Sequence, residues 1–186
     1  MKSLVICKTC GYIMEEGKLG DVCPACGVPA KLFEPYKSRI SDRRRFILRL
    51  DIHPVIVHAP QALAFVLVVF CIGALILQDA IRDNLETTIA VLGISLPITV
   101  IAGFATGLTD GLTRFKKLKT PFLKRKIVFG TLFFLVSAAG AYITISIGPG
   151  EQSYLLYMLI LSVAGLIAST VLGLIGSKLL GAAFPG

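Results

Sequence analysis

Acidic residues are scarce in this sequence: 11 Asp and Glu stand against 19 Lys and Arg. No carboxylates converge, no nucleophile stands with a base, and no glycine loop is built to cradle a phosphate. Hydrolase and transferase chemistry are set aside on that ground. Charge is nearly missing from the long apolar windows, so no relay for an ion or a proton is visible in them. A secretory leader is missing too. "MKSLVICKTCGYIMEEG" has only a short apolar run, broken by Lys8 and ended by Glu15 and Glu16. The N-terminal segment is therefore expected in the cytoplasm, where thiols stay reduced. Tryptophan is absent, and histidine occurs only twice, as His53 and His58.

Apolar residues are abundant, at 55% of 186 residues, and the mean hydropathy is +0.80. They are unevenly spread. Residues 1–52 are polar and basic, whereas 53–186 hold the long apolar runs. This predicts a small head on an all-α four-helix transmembrane bundle. Four windows reach the roughly 20 apolar residues that a span needs: 54–77, 88–108, 126–147 and 153–177. Lipid satisfies no open backbone, so these spans must be helices.

Lys and Arg set the orientation. Lys37, Arg39, Arg43, Arg44, Arg45 and Arg49 precede span one. Arg114, Lys116, Lys117, Lys119, Lys124, Arg125 and Lys126 lie between spans two and three. The other two connections hold Arg82 alone, among Asp79, Asp83, Glu86 and Glu151. This alternation places both termini in the cytoplasm. It also accounts for the net charge of +8 without a nucleic-acid partner.

Two further patterns lie in or beside the spans. Gly165, Ser169, Gly173, Ser177 and Gly181 recur every four residues, as do Thr99, Gly103, Gly107 and Gly111. Such stripes let backbones approach closely. They suit packing inside the bundle, a homodimer seam, or room for a flat cofactor. "SDRRRFILRL" (41–50) reads as a short helix, with Ser41 as N-cap and Asp42 in its first turn. Phe46, Ile47 and Leu50 share one side, and arginines cover much of the rest, as suits a segment on an anionic lipid leaflet. The expected organisation is a metal-binding head over 1–36, a basic interfacial linker helix over 37–52, and the four-helix domain over 53–186.

The head carries "CKTC" at Cys7 and Cys10 and "CPAC" at Cys23 and Cys26, spaced C-x2-C-x12-C-x2-C. Each pair wraps one metal from a tight turn, and two facing turns make a tetrahedral sulfur site for zinc or iron. Gly11 and Gly27 follow each pair, letting the backbone turn and aim N–H groups at a thiolate. Cys71 lies within span one and reads as a small hydrophobe. "CKTCGYI" and "CPACGVPAKLFE" resemble a rubredoxin domain. Cys7, Cys10, Gly11 and Tyr12 match its first half, and Cys23, Pro24, Cys26, Gly27, Pro29 and Phe33 its second. The gap is short, as in the rubredoxin-like tail of rubrerythrins. The tryptophan common in full rubredoxins is missing, and Met14 stands where a second aromatic is frequent. The resemblance implies a β/loop fold and one iron on four thiolates, a one-electron carrier. Zinc is the alternative and would be redox-silent.

"DIHPVIVHAP" (51–60) opens span one. Pro54 suits a first helical turn. Pro60 predicts a bend near His58. His53 belongs at the interface and His58 about 7 Å deeper. His53 reads equally as an interfacial residue touching headgroups. An imidazole at the depth of His58 marks a candidate site, and neutral imidazole is a usual haem ligand. Five residues apart on a helix is about 140°, so the two cannot grip one haem within one chain. His58 is the better candidate for haem b and His53 the second; bis-histidine ligation would need a second protomer or two separate sites, and a single axial His58 with an open sixth position is also allowed. The stretch "HPVIVHAPQALAF" also resembles the start of an uncharacterised family of four-helix bacterial membrane proteins with an HPxxVHxP motif, carried here by His53, Pro54, Val57, His58 and Pro60. That likeness implies a multi-pass protein of a prokaryotic cytoplasmic (inner) membrane.

Together these readings predict membrane-bound electron transfer, in the manner of an oxidoreductase component. A cytoplasmic donor such as a reductase would load the head. The electron would pass to an intramembrane centre and on to a quinone, a small oxidant or a protein. The alternative is a zinc-ribbon membrane scaffold or small transporter without redox activity.

Overall fold

The computed structural model describes residues 3–37, 41–115 and 120–179. Arg39, Lys116, Lys117, Lys119 and Gly181, used above in the charge and packing readings, lie outside the described residues. The described chain falls into two compact units that part between Phe46 and Ile47.

The first unit is a three-stranded antiparallel sheet, β1 (Leu4–Cys7), β2 (Ile13–Glu15) and β3 (Phe33–Pro35), in the order β2-β1-β3. The central strand pairs Val5 with both Met14 and Pro35. Its buried apolar residues are Leu4, Val5, Cys7 and Cys23. A core this small rarely supports a fold by itself, and domains of this size usually lean on a metal or disulfides.

The second unit is helical. α1 (Asp42–Arg49), which runs across the boundary, precedes α2 (Ile52–Ile56), α3 (His58–Ile76), α4 (Asp79–Phe115), α5 (Pro121–Ser146) and α6 (Gln152–Leu179). Ser41 Oγ accepts the Arg44 N–H at 3.4 Å, as a capping residue at the start of α1 does. Among the described residues, four helical stretches are long and apolar enough to cross a membrane. No more than 28% of the most apolar window of each is buried, so most of that apolar surface faces outward, as a lipid-facing bundle requires. α3 packs on α4 and α6, and α5 packs on the same two, which closes a ring of four. Leu67, Cys71, Ile89, Phe133, Leu155 and Met158 fill its centre.

The helices outrun the apolar windows because hydropathy sees only the apolar part of each helix. α4 adds turns at both ends, carrying Arg82 and Glu86 at one and Asp110 and Arg114 at the other. α5 begins at Pro121, after an N-cap in which Thr120 Oγ1 accepts from the Leu123 N–H. Span one is two helical segments that meet at Val57, one residue before His58, where φ −67° and ψ −17° stay right-handed. Pro60 is buried in the first turn of α3, where a missing N–H costs no hydrogen bond.

The small-residue stripes are used inside this chain. Gly103 faces Val57 and Pro60, Gly107 faces His53, Gly165 faces Phe133, and Gly173 faces Gln61. Gln61 Nε2 donates to the Ser169 carbonyl at 3.1 Å. Glu86, grouped above with the connecting residues, is instead 3% exposed within α4. It accepts from Arg82 Nε at 2.8 Å and from the Gly150 N–H of the α5–α6 connection.

Candidate metal centre

Two backbone knuckles of the same form carry the four cysteines. In the first, the Gly11 N–H donates to Cys7 O at 2.9 Å and the Cys7 N–H to Tyr12 O at 2.9 Å. In the second, the Gly27 N–H donates to Cys23 O at 2.9 Å and the Cys23 N–H to Val28 O at 2.7 Å. Gly11 and Gly27 take φ of +73° and +75°, and an added Cβ would meet nothing within 4 Å at either. The glycines are there for backbone shape and not for space. The sheet holds the knuckles together. Cys7 ends β1 opposite Phe33 of β3, and the Lys8 N–H donates to Leu32 O at 2.9 Å.

All four sulfurs lie within 4.8 Å of one another. Cys7 and Cys26 are 3.8 Å apart at sulfur, and so are Cys10 and Cys23. A tetrahedral ion with metal–sulfur bonds of about 2.3 Å has a sulfur–sulfur edge of about 3.8 Å. The donor set therefore fits one ion of the zinc or iron type. The ligands differ in access. Cys7 and Cys23 are each 1% exposed, Cys10 is half-buried and Cys26 is exposed.

The four thiols share a small space, and this shows in their acidity. Burial works against ionising Cys7, but the N–H groups of Cys10 and Thr9, with the thiols of Cys10 and Cys26, outweigh it and lower Cys7 to about 7. The Val28 N–H favours a Cys26 thiolate, yet desolvation and the three neighbouring sulfurs push Cys26 up to about 12. For Cys10 the Tyr12 N–H is likewise outweighed, by burial and by Cys7 and Cys23, and its thiol is raised. A bound cation would replace the protons that keep these sulfurs together.

The membrane unit treats the two histidines differently. His53, on α2, is half-buried between α4 and α5. Its Nδ1 lies 3.3 Å from Thr106 Oγ1 and its Nε2 3.2 Å from Lys126 Nζ. An ammonium only donates, so Nε2 is the acceptor and Nδ1–H donates to Thr106, whose own hydroxyl donates to Ala102 O at 2.9 Å. Both ring nitrogens are thus engaged, and His53 does not offer a free ligand atom. His58 is exposed and has no polar partner among the described residues. Cys71 is fully buried in the α3 core, in keeping with a packing role. Reading the histidines alone missed Lys126. The signal was available, since Leu123, Lys126, Gly130 and Phe133 follow helical spacing along the buried face of α5.

One family model, described as "Rubrerythrin, rubredoxin-like domain", matches residues 6–34. The match takes in all four cysteines and none of the helical unit. Neither among curated proteins nor among solved structures is there a matching chain.

Proposed function

We propose that this chain is a membrane-bound electron-transfer protein whose head holds one iron. The observation that carries the reading is the sulfur tetrahedron, inside a segment similar to a rubredoxin-like domain, on a chain with four membrane-length helices. Iron on four thiolates supplies one-electron transfer with no open coordination position. Backbone N–H groups of Thr9, Cys10, Tyr12 and Val28 aim at the cysteine sulfurs. Such bonds stabilise charge on the cluster and tune its potential. Cys26, the exposed ligand, gives electrons a short way in and out. A cytoplasmic reductase is the donor class this arrangement suits.

Within the same reading, the electron goes to an acceptor in the inner membrane of a prokaryote, with both termini cytoplasmic. A haem b would take His58, the imidazole with an open ring, and a second copy would supply the other axial ligand. A quinone or small oxidant would need no such ligand. The zinc reading, a redox-silent scaffold, keeps the same sulfur geometry.

Visible spectra of the purified protein, oxidised and reduced, separate these readings. We expect a red form that bleaches on reduction, with about one iron per chain. A colourless protein with one zinc would overturn the electron-transfer reading. A Soret band lost in His58→Ala would establish the haem, and a red protein without one would leave the head as the sole centre.

A further inference from the structure

α2 is a five-residue helix between Asp51 and Val57. Asp51 precedes it at φ 45°, a left-handed conformation that costs an ordinary residue about 1–2 kcal/mol. Val57 follows it in right-handed geometry, φ −67° and ψ −17°, and its N–H donates to His53 O at 3.1 Å. No residue of α2 is fully buried, but His53, Pro54 and Ile56 are half-buried and the helix packs on α4. Polar contacts add to that packing. His53 bonds Thr106 of α4 and Lys126 of α5, and the Asp51 carboxylate lies 3.7 Å from Arg114 of α4.

Every charged group facing His53 bears on what a proton there would do. Lys126 faces it from α5, Asp110 and Arg114 from α4, and Asp51 stands two residues before it. Asp110 is the carboxylate that could offset an added charge. Arg114 already holds it, with Nε 2.9 Å and 3.0 Å from its two oxygens. The ring packs closely on Gly107, where an added Cβ would lie 3.0 Å from it.

We propose that His53 and Lys126 form a pH-sensitive latch on α2. A proton on Nε2 removes the only acceptor that Lys126 has on the ring and sets two cations 3.2 Å apart. α2 then loosens from α4 and α5, turning about Asp51, the left-handed residue at its start. The chain from the head reaches this segment through α1, so the latch holds the tether at neutral pH and loosens it as the imidazole takes up a proton. The sign follows from linkage. An added proton sets like charges together only in the docked segment, so docking weakens as pH falls.

Hydrogen exchange of the full-length protein in detergent tests this, corrected for intrinsic exchange and read between pH 7.5 and 5.5. We expect protection of a peptide over residues 52–57 to fall about tenfold across that range, while the α4 core holds its protection. His53→Gln, which keeps an acceptor and a donor but does not titrate, should remove the pH dependence. Lys126→Met should shrink the drop, because the repelling cation is gone. A flat wild-type profile overturns the latch. If His53→Gln fails to dock at any pH, Lys126→Met decides: an undiminished drop there overturns it as well.

Discussion

Gly11 and Gly27 take almost the same positive φ on the two halves of the sulfur site, in open space. Alanine at either position meets no atom, so its only penalty is the left-handed backbone. We expect Gly11→Ala and Gly27→Ala each to cost about 1–2 kcal/mol of head stability. Chemical denaturation followed by metal release would measure it, with little change in metal content under native conditions. These glycines were legible in the sequence because each follows a C-x2-C pair. Lys126 was less so. It stands beside Lys124 and Arg125, and a run of three cations reads as a solvated edge. Only its register with Leu123, Gly130 and Phe133 separates it, and only the folded bundle supplies the imidazole it meets. The contrast between His53 and His58 was also out of reach. Depth along a span is a matter of counting, but which side of the chain faces its neighbours depends on where α2 ends and α3 begins.

At the scale of elements, the junction at Val57 and the lengths of α4 and α5 depart most from the apolar windows. A hydropathy window finds the apolar part of a helix and stops where charge begins, although the backbone continues through Glu86 and Asp110 without a break. Glu86 shows what that extension does. It is a buried carboxylate that joins α4 to the α5–α6 connection through the Gly150 N–H, with Arg82 one turn away. Glu86→Ala removes the acceptor and leaves the arginine and a backbone N–H unanswered. We expect a loss of about 2–3 kcal/mol, seen as a lower thermal midpoint of the helical unit in detergent. Glu86→Gln should recover part of it, since an amide oxygen still accepts.

The whole molecule is two compact units with different sources of stability. The head has a minimal apolar core and a four-thiolate site. The helical unit has an interior of aliphatic, aromatic and sulfur-bearing side chains and an apolar exterior suited to lipid. Stripping the metal with a strong chelator should therefore unfold the head alone. Exchange protection over β1 and β3 should vanish, while the helical circular dichroism of the membrane unit stays. Loss of both together would show that the units fold as one.

The sequence by itself determined the four-cysteine cluster and the stretches long and apolar enough to cross a membrane. C-x2-C turns act within a few residues of chain, and apolar length is additive along it, so neither needs a distant partner to be recognised. The tertiary structure decided how the polar groups of the spans are used. It set His53 against Thr106 and Lys126, closed Glu86 onto Gly150, and turned the small-residue stripes toward Phe133, Gln61, Val57 and His53. Each of those pairings joins residues far apart in sequence. Their partners are chosen by helix rotation and register, which packing fixes and local pattern does not.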